Sequence, residues 1–184
     1  MDKRALIECH NRIKPYIHNT PVMKSRLIDE MTGSDIYFKC DNFQKMGAFK
    51  MRGAVNAILQ LSENEKRKGV VTHSSGNFAQ ALSLAAEGIG ISAYIIMPST
   101  ATEIKKTAVK GYKGKLIECE PTLKARELAA KEIVKSKGAT FASNSHFDFK
   151  NLKQFPKQFL WTLCRRPIWR AMWDDLCPRG AGLG

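Results

Sequence analysis

From Gly69 to Ala142 the chain alternates short apolar runs with helix-forming stretches, and that alternation limits its possible folds more than any other feature. Residues 69–73, 91–97, 115–119 and 139–142 have the length and β-branched content of buried strands. Between them, 78–87 reads as an alanine-rich helix closed by Gly88, 101–109 as a second helix after the breaker Pro98, and 122–136 as a third. Strands alternating with helices of this length predict an α/β fold: a parallel twisted sheet with helices on both faces. In such sheets ligands gather beyond the carboxyl ends of the strands. Ser74-Ser75-Gly76-Asn77 follows the strand ending near His73, so topology alone marks it as a candidate site.

The first third of the chain is less regular. Leu6, Cys9 and Ile13 recur at helical spacing over 3–14, and Pro15 ends that helix. An extended segment at 19–22, a helix over 25–31 stopping near Gly33 and a short strand at 35–40 follow. Beyond Lys50, the residues Ala54, Val55, Ala57, Ile58 and Leu61 mark a buried helix. Ser62 and Glu65 have the spacing of a capping box, in which hydroxyl and carboxylate satisfy each other's orphan N–H groups.

Composition excludes several function classes. With 184 residues, 43% hydrophobic and 26% charged, the chain suits one soluble domain with a core, or one and a half small ones. Its apolar runs are too short to cross a bilayer, and the charged start Met1-Asp2-Lys3-Arg4 has no signal-peptide core; a cytoplasmic location is expected. Five scattered cysteines with no Cys-x-x-Cys pair argue against disulfides and against a metal site. The formal charge of +13 is spread along helices without interleaved aromatics, so neither nucleic acid nor membrane is an expected partner. The field of such a domain still favours anionic small molecules.

Two segments carry the chemistry. One is Lys39-Cys40-Asp41-Asn42-Phe43-Gln44-Lys45-Met46-Gly47-Ala48-Phe49-Lys50-Met51-Arg52-Gly53-Ala54, which puts Lys50 where a strand and loop give way to a helix. The other is Thr72-His73-Ser74-Ser75-Gly76-Asn77-Phe78-Ala79-Gln80. An amine used as a nucleophile must be partly deprotonated; apolar Ala48, Phe49 and Met51, with positive Lys45 and Arg52 nearby, favour that state. The loop 74–77 opens a helix, whose first N–H groups form an anion site.

In this order and spacing, the pair resembles the lysine motif and Ser-Gly-Asn loop of pyridoxal-phosphate enzymes of the serine racemase and threonine dehydratase family. The resemblance implies pyridoxal 5'-phosphate as cofactor and a truncated tryptophan synthase beta-like fold. It also implies dehydratase (ammonia-lyase) or racemase action on serine, threonine or a related β-hydroxy amino acid, and a homodimer for the full-length family. By resemblance Lys50 attaches the cofactor and moves the α-proton on one face, and Phe49 packs on the pyridine ring. Ser74, Ser75, Gly76 and Asn77 receive the substrate carboxylate, and Asn77 bonds the cofactor's phenolic oxygen. Inversion needs a second acid/base on the opposite face, the place of a serine in the family's racemases; Ser75 stands there, and a helix N-cap is the other role open to it. Phe78 replaces the family's commoner histidine. Met46 replaces a threonine or serine, so activation by nucleotide is not expected. His73 is expected to be structural.

The resemblance covers residues 4–147. Residues 1–147 are therefore expected to be the N-terminal part of the fold, a small lobe plus the start of a large domain. Residues 148–184 diverge, with Trp161, Trp169, Trp173, Arg165-Arg166-Pro167 and a glycine-rich end. Two readings fit them: a tail out of register, or a short natural segment packing on a sheet edge. Complete family members are much longer, and their remaining part supplies the phosphate loop and the cation-site carboxylates. Little catalysis is thus expected from a fragment of this length. The alternative is a non-catalytic truncated product that binds a partner chain through an exposed edge and the Trp-rich tail.

Overall fold

The structure is a computed structural model that describes residues 3–142; the expectations for residues 148–184 lie outside them. Four strands, β3 (Val70–His73), β4 (Ala93–Pro98), β5 (Lys115–Cys119) and β6 (Thr140–Phe141), form one sheet in the order β5-β4-β3-β6. Every neighbouring pair is parallel, with Val70 opposite both Ala93 and Thr140 and Tyr94 opposite Lys115. Successive strands are linked by α5 (Asn77–Ile89), α6 (Glu103–Gly111) and α7 (Leu123–Lys137). The expected α/β architecture is the observed one.

Side-chain alternation along the strands divides the core in two. Val70, Ala93, Ile95 and Met97 face a cluster that includes Ile13 of α1 (Lys3–Ile13), Val55 and Ile58 of α3 (Lys50–Leu59), Leu82 of α5 and Val109 of α6. Val71 and Ile96 face the other way, against Ala130 of α7 and Ala139. Helices therefore cover both faces. The short α4 (Glu63–Lys68) leads into β3 and carries the expected capping box, Ser62 and Glu65 bonding reciprocally.

Two boundaries differ from the sequence reading. α5 runs through Gly88 and stops at Gly90, whose left-handed φ of 83° lets its N–H reach the carbonyls of Ala86 and Glu87. A glycine ends a helix only where the chain needs that conformation, and Gly88 is helical here. The strand read at 35–40 shrinks to β2 (Phe38–Lys39), paired antiparallel with β1 (Val22–Met23). Between them, α2 (Arg26–Thr32) is capped by Ser25 at its start and by left-handed Gly33 at its end.

Candidate active site

Lys50 is the first residue of α3 and half-buried. The loop before it contains two 3-10 turns, Asp41–Phe43 and Lys45–Gly47. Consecutive left-handed residues, Met46 at φ 55° and Gly47 at φ 72°, redirect the chain towards the helix. Glycine takes this conformation freely, whereas Met46 does so at a cost of about 1–2 kcal/mol. Packing of Met46 against the main core helps to hold it there. Lys50 Nζ lies 4.7 Å from the centroid of the Phe49 ring, an attractive placement for an ammonium. The resemblance gives Phe49 the cofactor ring as partner; in this structure Phe49 holds the neighbouring amine.

Ser74, Ser75 and Gly76 form a half-buried turn between β3 and α5, and exposed Asn77 opens the helix. The N-cap residue is Gly76, and no side chain caps α5. Ser74 Oγ accepts a long bond, 3.4 Å, from the Gly76 N–H. Ser75 is thus not the helix cap, the other role open to it from sequence. An uncapped start leaves the first N–H groups of the helix, at the positive end of its dipole, to an anion. Their placement comes from the fold: β3 ends at His73, and the chain turns at the carboxyl edge of the sheet. The His73 ring packs against Phe141, with centroids 5.3 Å apart.

The two junctions stand on adjoining elements. α3 packs directly on α5, and the turn Lys45–Gly47 also touches α5. Among the described residues, no group of three or more His, Cys, Asp or Glu side chains could hold a metal ion. No helix among them is long and apolar enough to cross a membrane.

Sequence reasoning missed the polar groups that hold the lysine loop. Arg52 grips the Asp41 carboxylate with two bonds, Nε to Oδ2 at 3.1 Å and Nη2 to Oδ1 at 2.9 Å. The Thr20 hydroxyl donates to Asp41 Oδ1 at 2.7 Å and accepts from Arg52 Nη2 at 3.0 Å. Burial alone would raise the Asp41 carboxyl; the bonds from Arg52 and Thr20, with the charges of Arg52 and Lys39, outweigh it and hold the group below its ordinary value. The Arg52 charge expected to favour a neutral Lys50 is therefore paired with a carboxylate. Gln44, also buried, accepts from the His18 N–H at 2.8 Å and donates to the His18 carbonyl at 2.9 Å, as a strand would. Only the juxtaposition of acidic and basic residues at 41 and 52 could have hinted at this, and Thr20 gave no signal.

A second polar group joins α1 to α3. Cys9 Sγ donates to Asn56 Oδ1 at 3.1 Å, and Arg12 Nη1 donates to the same oxygen at 2.7 Å. Burial pushes the Cys9 thiol up to about 11 against the opposing Arg12 charge, which favours the neutral thiol that donates to Asn56.

As a donor set, a primary amine beside an aromatic face and an uncapped helix start suit an aldehyde cofactor and a carboxylate substrate. No two glycines are adjacent in residues 3–142, so a glycine-rich cradle for the cofactor's phosphate is not found among the described residues. The comparisons agree with the donor set. Residues 13–152 match the family of the pyridoxal-phosphate dependent enzyme. The chain is 49% identical over 127 residues to serine racemase of Dictyostelium discoideum, covering 69% of this chain and 39% of that protein. It is 45% identical over 136 residues to β-hydroxyaspartate dehydratase of Paracoccus denitrificans, covering 74% and 43%. Maize serine racemase superimposes with a TM-score of 0.74 at 45% identity, covering 77% of this chain and 43% of that one. The tryptophan synthase beta-like fold expected from the lysine motif is thus the fold of these relatives, and the chain spans about two-fifths of the length of the curated relatives it matches. With the family matched over more than half its residues, the chain belongs to the pyridoxal-phosphate dependent enzymes.

Proposed function

We propose that the site serves chemistry at the α-carbon of serine, threonine or a related β-hydroxy amino acid, as in a dehydratase or a racemase, with pyridoxal 5'-phosphate attached to Lys50, and that these 184 residues alone retain little of that activity. The observation that carries this is the pairing of a half-buried amine at the head of α3 with an uncapped helix start on the neighbouring α5. Bound pyridoxal phosphate supplies the electron sink that makes the α-proton acidic. Lys50, at the head of α3, would accept that proton. The N–H groups at the start of α5, with Ser74, Ser75 and Gly76, would hold the substrate carboxylate, and the Asn77 amide would bond the cofactor ring's oxygen. Phe49, beside the Lys50 amine, would offer its ring face to the bound cofactor. Ser75, which has no capping duty, returns a proton to the other face. Loss of the β-hydroxyl gives elimination; the Ser75 proton gives inversion.

On this reading the partner is a small-molecule amino acid, and the working form is a homodimer in the cytoplasm. The free thiols of Cys9, Cys40 and Cys119 suit a reducing compartment. The test is to incubate the protein with pyridoxal phosphate and L-serine or L-threonine in heavy water. α-Hydrogen exchange, keto-acid release and D-enantiomer are then followed together. Lys50→Ala should abolish all three, and Ser75→Ala should suppress the D-enantiomer far more than the keto acid. Exchange that survives Lys50→Ala overturns the assignment.

A second reading, that this polypeptide binds a partner chain without catalysis, is favoured by the apolar surface around α2. Leu27 and Met31, one turn apart, are 65% and 77% exposed, and Met23 and Phe38 are exposed opposite each other on β1 and β2. Concentration-dependent self-association with no hydrogen exchange at the α-carbon would select it.

A further inference from the structure

We propose that Thr20, Asp41 and Arg52 form a latch that sets where Lys50 stands, so that all three are positioning residues for the cofactor-bearing amine. The inference rests on the reading that Lys50 carries the cofactor. Asp41 opens the lysine loop and Arg52 lies two residues beyond Lys50, so their pairing closes a bracket around residues 42–51. Arg52 is buried, its side chain 7% exposed, and Asp41 is half-buried at 15%, which removes this pair from the class of solvated surface bridges.

The geometry is directional. Each carboxylate oxygen meets a different nitrogen of the guanidinium fork, which fixes the carboxylate plane against the fork plane. Thr20 completes a ring of three bonds, its hydroxyl donating to the carboxylate and accepting from the guanidinium. The Thr20 carbonyl takes Lys39 Nζ at 2.5 Å, which ties the ring to β2. The second tether runs in parallel: Gln44 clasps both backbone groups of His18. The loop is thus fastened to residues 18–20 on one side of the left-handed pair Met46–Gly47, and to Arg52 on the other. Lys50 lies between those fastenings. Two apolar side chains would fill the same space without the cost of desolvating charge, but they would fix no direction.

The test uses competition between two amines of the same loop, Lys45 and Lys50. The full chain is incubated with pyridoxal phosphate and reduced with borohydride, and the label is mapped by mass spectrometry. Hydrogen exchange at β3, β4 and β5 is followed in the same samples. Arg52→Lys keeps the charge and loses the fork; Thr20→Val keeps the shape and loses the hydroxyl. The latch predicts that both variants lower the Lys50-to-Lys45 label ratio, by about tenfold for Arg52→Lys, while the sheet amides stay protected. If Arg52→Lys also exposes the sheet amides, Thr20→Val decides. An unchanged ratio in variants whose sheet remains protected overturns the latch and leaves Lys50 as the attachment point. No preference for Lys50 in the unaltered chain overturns the functional reading instead, and the latch as a device for that amine with it.

Discussion

The sheet lobe and the lysine segment each deliver one half of the site, and they are held by opposite kinds of force. In the lobe, Val70, Val71, Ile95, Ile96 and Met97 are almost wholly buried among apolar neighbours. Such packing is strong and non-directional, so it tolerates small changes of shape. In the segment from His18 to Arg52, apolar Ile36, Ala48 and Met51 are buried too, but the side chains that tie the loop to distant residues are the buried polar groups Thr20, Gln44 and Arg52. Their hydrogen bonds are directional and stand or fall together. A scaffold that only has to exist can rest on apolar burial. A loop that has to aim one amine needs the other kind.

The comparison is broken most severely by removing one partner of the buried pair. Arg52→Met leaves the Asp41 carboxylate without its counter-charge and should cost about 3–5 kcal/mol in urea unfolding. Asp41→Leu/Arg52→Met should recover most of that loss. If the single variant costs no more than an exposed ion pair, the lysine segment is not held as described.

Acid performs the same experiment by titration. The folded-state value of Asp41 lies below its ordinary value, so the pair's contribution is complete above the ordinary aspartate range. It is lost as the pH falls through the lowered folded value. Protection of the amides in the 41–49 loop should therefore fall before that of β3 and β4 on acidification. Asp41→Asn should make the loop's protection independent of pH in that range. Simultaneous loss in both regions would contradict a separate polar fastening.

The smallest effect is expected from trimming the apolar side. Ile95→Val removes one methylene from a side chain fully buried in the lobe and should cost about 0.5–1.5 kcal/mol, leaving the Lys50 loop's protection unchanged. A larger loss, or one felt in the loop, would mean that the lobe and the loop are a single unit.

This contrast also explains what could be read in the sequence. The four parallel strands were legible because each is encoded by its own few residues, as Val70-Val71 and Ile95-Ile96 show. The capping box of Ser62 and Glu65 was legible for the same reason, its two members lying three residues apart. The 74–77 turn stood out because it follows a strand and opens a helix, and Lys50 because its phrase resembles the family's lysine motif. The latch was not legible: Thr20 meets residues 21 and 32 positions away, and Gln44 meets His18 across 26. Arg52 read as a bare positive charge because its partner is set by the path of the loop, which the left-handed Met46 and Gly47 determine. The end of α5 was misplaced by two residues because Gly88 and Gly90 look alike until the left-handed turn is seen.

The central claim is that the fold places one amine, Lys50, for covalent work, and mapping a trapped cofactor tests it most directly. The unaltered chain is incubated with pyridoxal phosphate, reduced with borohydride and digested, and the modified peptide is identified by mass spectrometry. The account predicts that the label concentrates on Lys50, beside Phe49 at the start of α3. Label on other lysines with Lys50 untouched would contradict it.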